Sequence, residues 1–199
     1  MTEALWFRPL IWMDYRLAVF FLVGMPLVLF VWAFVQRADS VQHLLTIYWR
    51  VSSLLAITVY LMIASMPIAF VSSLLARILI PTSLWFWTDL NEEIDDRPGS
   101  LKTVFSIWRW AVSAYCLLGT IAIIPFMKCA FVSGATDTPF CMAWLEPTWL
   151  YREYFHAGSR PQFLGIIGVI FLILYVLYLA YFVILRLGKQ GRSAMIQQD

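Results

Sequence analysis

The chain has 199 residues, of which 62% are hydrophobic and 13% charged, and its mean hydropathy is +0.78. A water-soluble domain of this size would have to expose a very large apolar patch to carry that composition, so the chain reads as a single all-α membrane domain, a polytopic transmembrane helical bundle. The formal net charge of +2, with basic residues scattered along the chain, excludes nucleic acid as a partner.

Four uncharged apolar runs, 17–36, 51–76, 110–127 and 163–185, hold 18 to 26 residues each. A hydrocarbon core of roughly 30 Å needs about 20 apolar residues at about 1.5 Å rise per residue, so each run predicts a membrane-crossing helix in contact with lipid. The first predicted span, 17–36, follows Arg8 and Arg16, exceeds a signal-peptide core in length and ends without a small-residue cleavage site. It is expected to remain as an anchor.

The next stretch, 44–88, is apolar but interrupted by Pro67, Arg77 and Pro81. Two foldings compete. In one, a span over 47–70 is followed by an interfacial helix over 71–88, with Arg77 snorkelling to headgroups, which gives four spans. In the other, the chain turns at Ser65, Met66 and Pro67 and crosses again, which gives five. A central arginine costs roughly 2.5–3.5 kcal/mol on insertion scales, and no apolar run contains a carboxylate to pair with it. Four spans are therefore favoured, and in a five-span bundle Arg77 becomes the functional candidate. Ser52 with Ala56, Ser65 with Ala69, and Ser72 with Ala76 are small-residue pairs at helical spacing that let helices approach closely.

Segment 89–108 reads as an acidic loop on the cytoplasmic face, rimmed by Trp85, Trp87, Trp108 and Trp110 as interfacial anchors. Asp89, Glu92, Glu93 and Asp96 are candidates for docking a basic partner. The same acids with Asn91 could hold Mg²⁺ for lipid- or prenyl-modifying chemistry, but that chemistry needs a second acid-rich loop, and the sequence has none.

After a third span over 109–127, segment 128–162 is expected as a lumenal or periplasmic loop. Cys129 and Cys141 bracket a short turn-rich stretch and form a disulfide candidate. An oxidising compartment would allow the bond, worth about 2–3 kcal/mol by chain entropy; two free thiols are the alternative. Trp144, Glu146, Trp149, Tyr151 and Tyr154 offer a docking surface in the same segment.

In the last span, 163–185, Phe171, Tyr175, Tyr178 and Phe182 follow helical spacing as one aromatic stripe suited to helix packing. The basic tail, Arg186, Lys189 and Arg192, places the C-terminus in the cytoplasm by the positive-inside rule. His43 and His156, each close to aromatic residues, are candidate pigment ligands for a chlorophyll magnesium or a haem iron; hydrogen-bonded anchoring is the plainer alternative. Chlorophyll and carotenoid stay open as cofactors. No metal-binding His/Cys spacing, phosphate loop or nucleophile elbow occurs in the sequence, so no catalytic residue is assigned and a non-enzymatic role is expected.

Several phrases carry a family likeness: Leu5-Trp6-Phe7-Arg8-Pro9-Leu10, Ile47-Tyr48-Trp49-Arg50-Val51, Leu84-Trp85-Phe86-Trp87-Thr88-Asp89-Leu90-Asn91-Glu92-Glu93-Ile94, Trp144-Leu145-Glu146-Pro147, Glu153-Tyr154-Phe155-His156 and Leu187-Gly188-Lys189-Gln190-Gly191-Arg192-Ser193. Together they resemble a cyanobacterial membrane-protein family known as domain of unknown function 3177, over nearly the whole chain. The resemblance implies a thylakoid or plasma-membrane location. It also implies an auxiliary role in early photosystem II reaction-centre assembly, with reaction-centre subunits and other assembly factors as partners. A small carrier working through Arg77 is the alternative from a different class.

Overall fold

Hydrocarbon offers no partners to backbone N–H and C=O groups, so each crossing segment must satisfy its own as a helix. The computed structural model describes residues 6–187. In chain order its helices are α1 (Arg8–Val35), α2 (Asp39–Ile63), α3 (Ile68–Trp85), α4 (Thr88–Asp96), α5 (Ser100–Phe131), α6 (Pro139–Phe155) and α7 (Pro161–Leu185). Among the described residues α1, α2, α3, α5 and α7 are long and apolar enough to cross a membrane. The fold is thus the expected polytopic helical bundle, with five membrane-length helices where four are favoured from the sequence.

The difference lies at α3. Segment 71–88 does not form a separate interfacial helix; most of it belongs to α3, which packs between α2 and α5. Ala69, Phe70, Ala76 and Ile80 are fully buried there, and the Thr58 and Ser72 hydroxyls meet at 2.5 Å across the α2–α3 contact.

Tight left-handed turns make the first two helix connections. Arg37 (φ 50°) and Ser65 (φ 55°) take the conformation that glycine usually supplies after a helix. The amides of Ala38 and Met66 then reach back five residues, to Ala33 O at 2.9 Å and Leu61 O at 3.0 Å. Ser65 therefore belongs to a turn, and its pairing with Ala69 as one helix face does not form. Ser72 and Ala76 are both buried on α3, whereas on α2 Ser52 is buried and Ala56 exposed.

α1 is not a uniform α-helix: Val19–Gly24 widens into a π-turn just before Pro26. α7 leans on α2 through two glycines. A Cβ on Gly165 would lie 2.5 Å from the Ala64 methyl, so that position requires glycine for this approach, and one on Gly168 would lie 3.1 Å from Leu61, a tight contact.

Buried side chains form two main clusters. One, with Leu29, Tyr48, Leu84, Leu90, Ile94, Phe105 and Trp108, lies at the α4 end; the other, with Phe70, Phe126, Trp144 and the two bonded cysteines, lies at the α6 end. Segment 89–108 is consequently not a loop, because Leu90 and Ile94 anchor α4 in the core and α5 begins at Ser100. Segment 128–162 is likewise mostly ordered around α6. Lys189 and Arg192 of the basic tail lie outside the described residues.

Candidate functional site

An ionisable side chain at membrane depth is costly unless paired, so it marks the first place to look for function. Arg77 sits midway along α3, 6% exposed. Its Nη2 donates to Asp14 Oδ2 on α1 at 2.5 Å. The Tyr115 hydroxyl on α5 donates to Asp14 Oδ1 at 2.8 Å and to the Asp14 carbonyl at 3.0 Å. The guanidinium carbon also lies 5.5 Å from the Tyr115 ring centroid.

Gly119, one turn after Tyr115, makes room for this pair: a Cβ there would lie only 1.6 Å from Arg77 Nη1. That nitrogen has no hydrogen-bond partner among the described residues and packs against the α5 backbone. Charge and hydrogen bonds thus tie three spanning helices together at one point. The premise that no span holds a carboxylate is overturned, because α1 starts at Arg8, well before the uncharged run at 17, and carries Asp14 within it.

A second cationic centre docks the acidic helix. Arg109 on α5 donates through Nη1 to Asn91 Oδ1 at 2.5 Å and pairs through Nη2 with Asp95 Oδ1 at 3.5 Å. Its guanidinium carbon lies 4.1 Å from the Trp85 ring centroid. Lys102 also donates to the Asp95 carbonyl. Glu92, Glu93 and Asp96 stay exposed and Asp89 is half-buried. Among the described residues no group of three or more His, Cys, Asp or Glu side chains is arranged to hold a metal ion.

Cys129 and Cys141 are bonded, with Cα atoms 5.9 Å apart, while Cys116 is free and buried. The disulfide joins the end of α5 to α6. α6 in turn packs on α1 through the Arg8–Glu146 ion pair at 2.7 Å. Two proposed docking residues are therefore already used: Trp144 is buried against Phe126, with ring centroids 4.7 Å apart, and Glu146 holds Arg8. Trp149 and Tyr151 are half-buried, leaving Tyr154 most exposed, beside the exposed Phe155.

The two histidines lie at opposite ends of α2. His43 is exposed near its start. His156 follows α6, and its Nε2 meets the Tyr60 hydroxyl at 3.0 Å. Burial raises the neighbouring Tyr151 phenol above its ordinary pKa, with Tyr60 adding to the effect.

The aromatic stripe of α7 is divided. Tyr175 donates to the Val51 carbonyl at 3.2 Å and Phe182 meets Trp87 edge-on, whereas Phe171 and Tyr178 face outward, about half exposed.

Three residues that shape these contacts carry only faint signals in the sequence. Asp14 lies one turn before the first apolar run. Gly119 and Gly168 are isolated glycines in apolar helices, each at a close approach.

No curated protein and no solved structure matches the chain. A family model described as "Protein of unknown function (DUF3177)" matches residues 8–195, and the chain belongs to that family.

Proposed function

We propose that this chain is a non-enzymatic, multi-pass auxiliary protein of a photosynthetic membrane that holds early photosystem II reaction-centre intermediates. One observation carries the helix-holding role: the spanning helices at the two ends of the chain present long apolar faces to the lipid. Only 17% of the α7 window and 22% of the α1 window are buried within the bundle. Such faces can receive partner helices without disturbing the interior, where Arg77 is already bound to Asp14. The photosystem II assignment itself rests on the family resemblance.

In this reading α4 lies on the cytoplasmic or stromal side, because the positive-inside rule puts the basic tail there. The Cys129–Cys141 bond then lies on the oxidising lumenal side, with exposed Tyr154 and Phe155 available for contact with lumenal parts of a partner.

A small carrier working through Arg77 is the second reading, favoured by Nη1, which has no hydrogen-bond partner among the described residues. That nitrogen lies against Gly119, however, so transport would require the Asp14–Arg77 pair to open.

The test is affinity purification of the tagged protein from photosynthetic membranes in mild detergent, read by mass spectrometry. Reaction-centre subunits in stoichiometric yield are expected. Recovery of the chain alone would overturn the assignment, and substrate flux lost in an Arg77→Ala variant that stays folded, with the wild-type elution profile, would establish the carrier instead.

A further inference from the structure

Between α2 and α7 lies a groove of about 680 Å³, within the size range of small-molecule sites. Its two ends differ in chemistry. At the α6 end the Tyr60 hydroxyl and His156 Nε2 meet at 3.0 Å, and Ser159 lines the same end. From there the groove follows α7 from Phe163 to Tyr175, about 18 Å of helix, where Ala56 and Gly168 keep the walls low. Among the described residues no lysine, arginine, aspartate or glutamate lines it.

We propose that this groove binds a neutral prenyl lipid with a carbonyl-bearing ring, a prenylquinone. The ring lies at the Tyr60–His156 end and the single chain runs along α7. Phosphate or carboxylate headgroups would find no counter-charge in these walls, and the nearby Arg152 is turned to the Ser159 carbonyl, to which its Nε donates at 3.2 Å. A quinone carbonyl needs only a donor, and the pair has one to spare. When His156 donates through Nε2 in their mutual bond, the Tyr60 hydroxyl keeps its own hydrogen for the carbonyl.

Phe163, 58% exposed beside this end, offers an aromatic face for the ring. A rigid polyene long enough to cross the bilayer would overrun the groove. A pigment ligated through His156 Nε2 would have to displace Tyr60. The site stands whether or not the chain accompanies photosystem assembly.

The test uses the full-length protein purified in mild detergent. Its organic extract is analysed by mass spectrometry, and the stripped protein is titrated with decylubiquinone. About one prenylquinone per chain and saturable decylubiquinone binding are expected.

Ala56→Phe fills the groove from its exposed side without touching the glycine contacts of α7. The double variant Tyr60→Phe with His156→Phe removes the polar end. Each is expected to weaken binding about tenfold, the scale of one or two hydrogen bonds or a blocked chain, with an unchanged elution profile. Equal binding by wild type and the double variant would overturn the proposal. So would stoichiometric chlorophyll, carotenoid or glycerolipid in the extract in place of a quinone.

Discussion

The Tyr48 hydroxyl donates a 2.6 Å hydrogen bond to the carbonyl of Leu22, the group for which Pro26 has no N–H to offer. One residue earlier the Trp108 indole donates to the Phe21 carbonyl at 2.9 Å, because the Met25 amide reaches five residues back, to Phe20. The π-turn, the proline and two buried side chains from α2 and α5 thus form one unit. The break in α1 is tolerated in lipid because neighbours take up the carbonyls it releases.

Tyr48→Phe should lower stability by about 1 kcal/mol, the scale of an interhelical hydrogen bond in a membrane. In a Pro26→Ala background the helix supplies its own N–H to Leu22, and the same substitution should cost far less. Unfolding of the four proteins in mixed detergent measures the coupling. Equal costs in both backgrounds would mean that Tyr48 acts through packing alone.

The Asp14–Arg77 pair predicts a different pattern. Removing one partner strands a charge inside the bundle, so Asp14→Leu or Arg77→Met alone should cost about 3–5 kcal/mol. The double substitution should recover most of that loss, because two apolar side chains replace two charges that needed each other. Gly119→Ala should also destabilise by forcing the guanidinium aside, and Arg77→Met should relieve it. Thermal melting in detergent reads all five variants, Gly119→Ala combined with Arg77→Met included; an Asp14→Leu, Arg77→Met double variant as unstable as the singles would rule out the pairing as the cause.

The parts of this fold that are legible in the sequence are those set by composition over many residues. Apolar runs long enough to cross a bilayer mark α1, α2, α5 and α7 directly. α3 was obscured by Arg77, whose cost depends on a partner 63 residues away in the chain; no local pattern encodes that pairing. The turn after α2 falls at Ser65 to Pro67, where the five-span alternative has it, but its left-handed residue is serine where glycine is the usual signal. The Cys129–Cys141 bond could be suggested from spacing alone. That Trp144 and Glu146 are already occupied could not, because their partners, Phe126 and Arg8, lie on other helices.

Arg109 holds α4 to α5 through Asn91 and Asp95. Arg109→Met keeps the stem over Trp85 but removes both polar contacts, so α4 should loosen while the spanning helices stay folded. Hydrogen exchange over residues 88–96 is expected to accelerate severalfold, with little change in α2 or α3. Leu90 and Ile94 still anchor that helix, so complete release is not expected. Unaltered exchange would show that those apolar contacts alone dock it.

The alternation of five crossings fixes sidedness in a testable way. The start of α1 and the disulfide lie at one end of the bundle, and α4 lies at the other. Trp6 is 80% exposed and Glu93 is exposed, so single cysteines at these positions can be labelled with a membrane-impermeant maleimide in sealed, oriented vesicles. Trp6→Cys should label from the same side as Tyr154→Cys, a position 78% exposed on α6, the helix that carries Cys141, and Glu93→Cys only from the opposite side. Cys116, fully buried, should stay silent throughout. Labelling of Trp6→Cys and Glu93→Cys from one side would mean that α1, α2 and α3 make an even number of crossings, returning the chain to four spans and Arg77 to the interface.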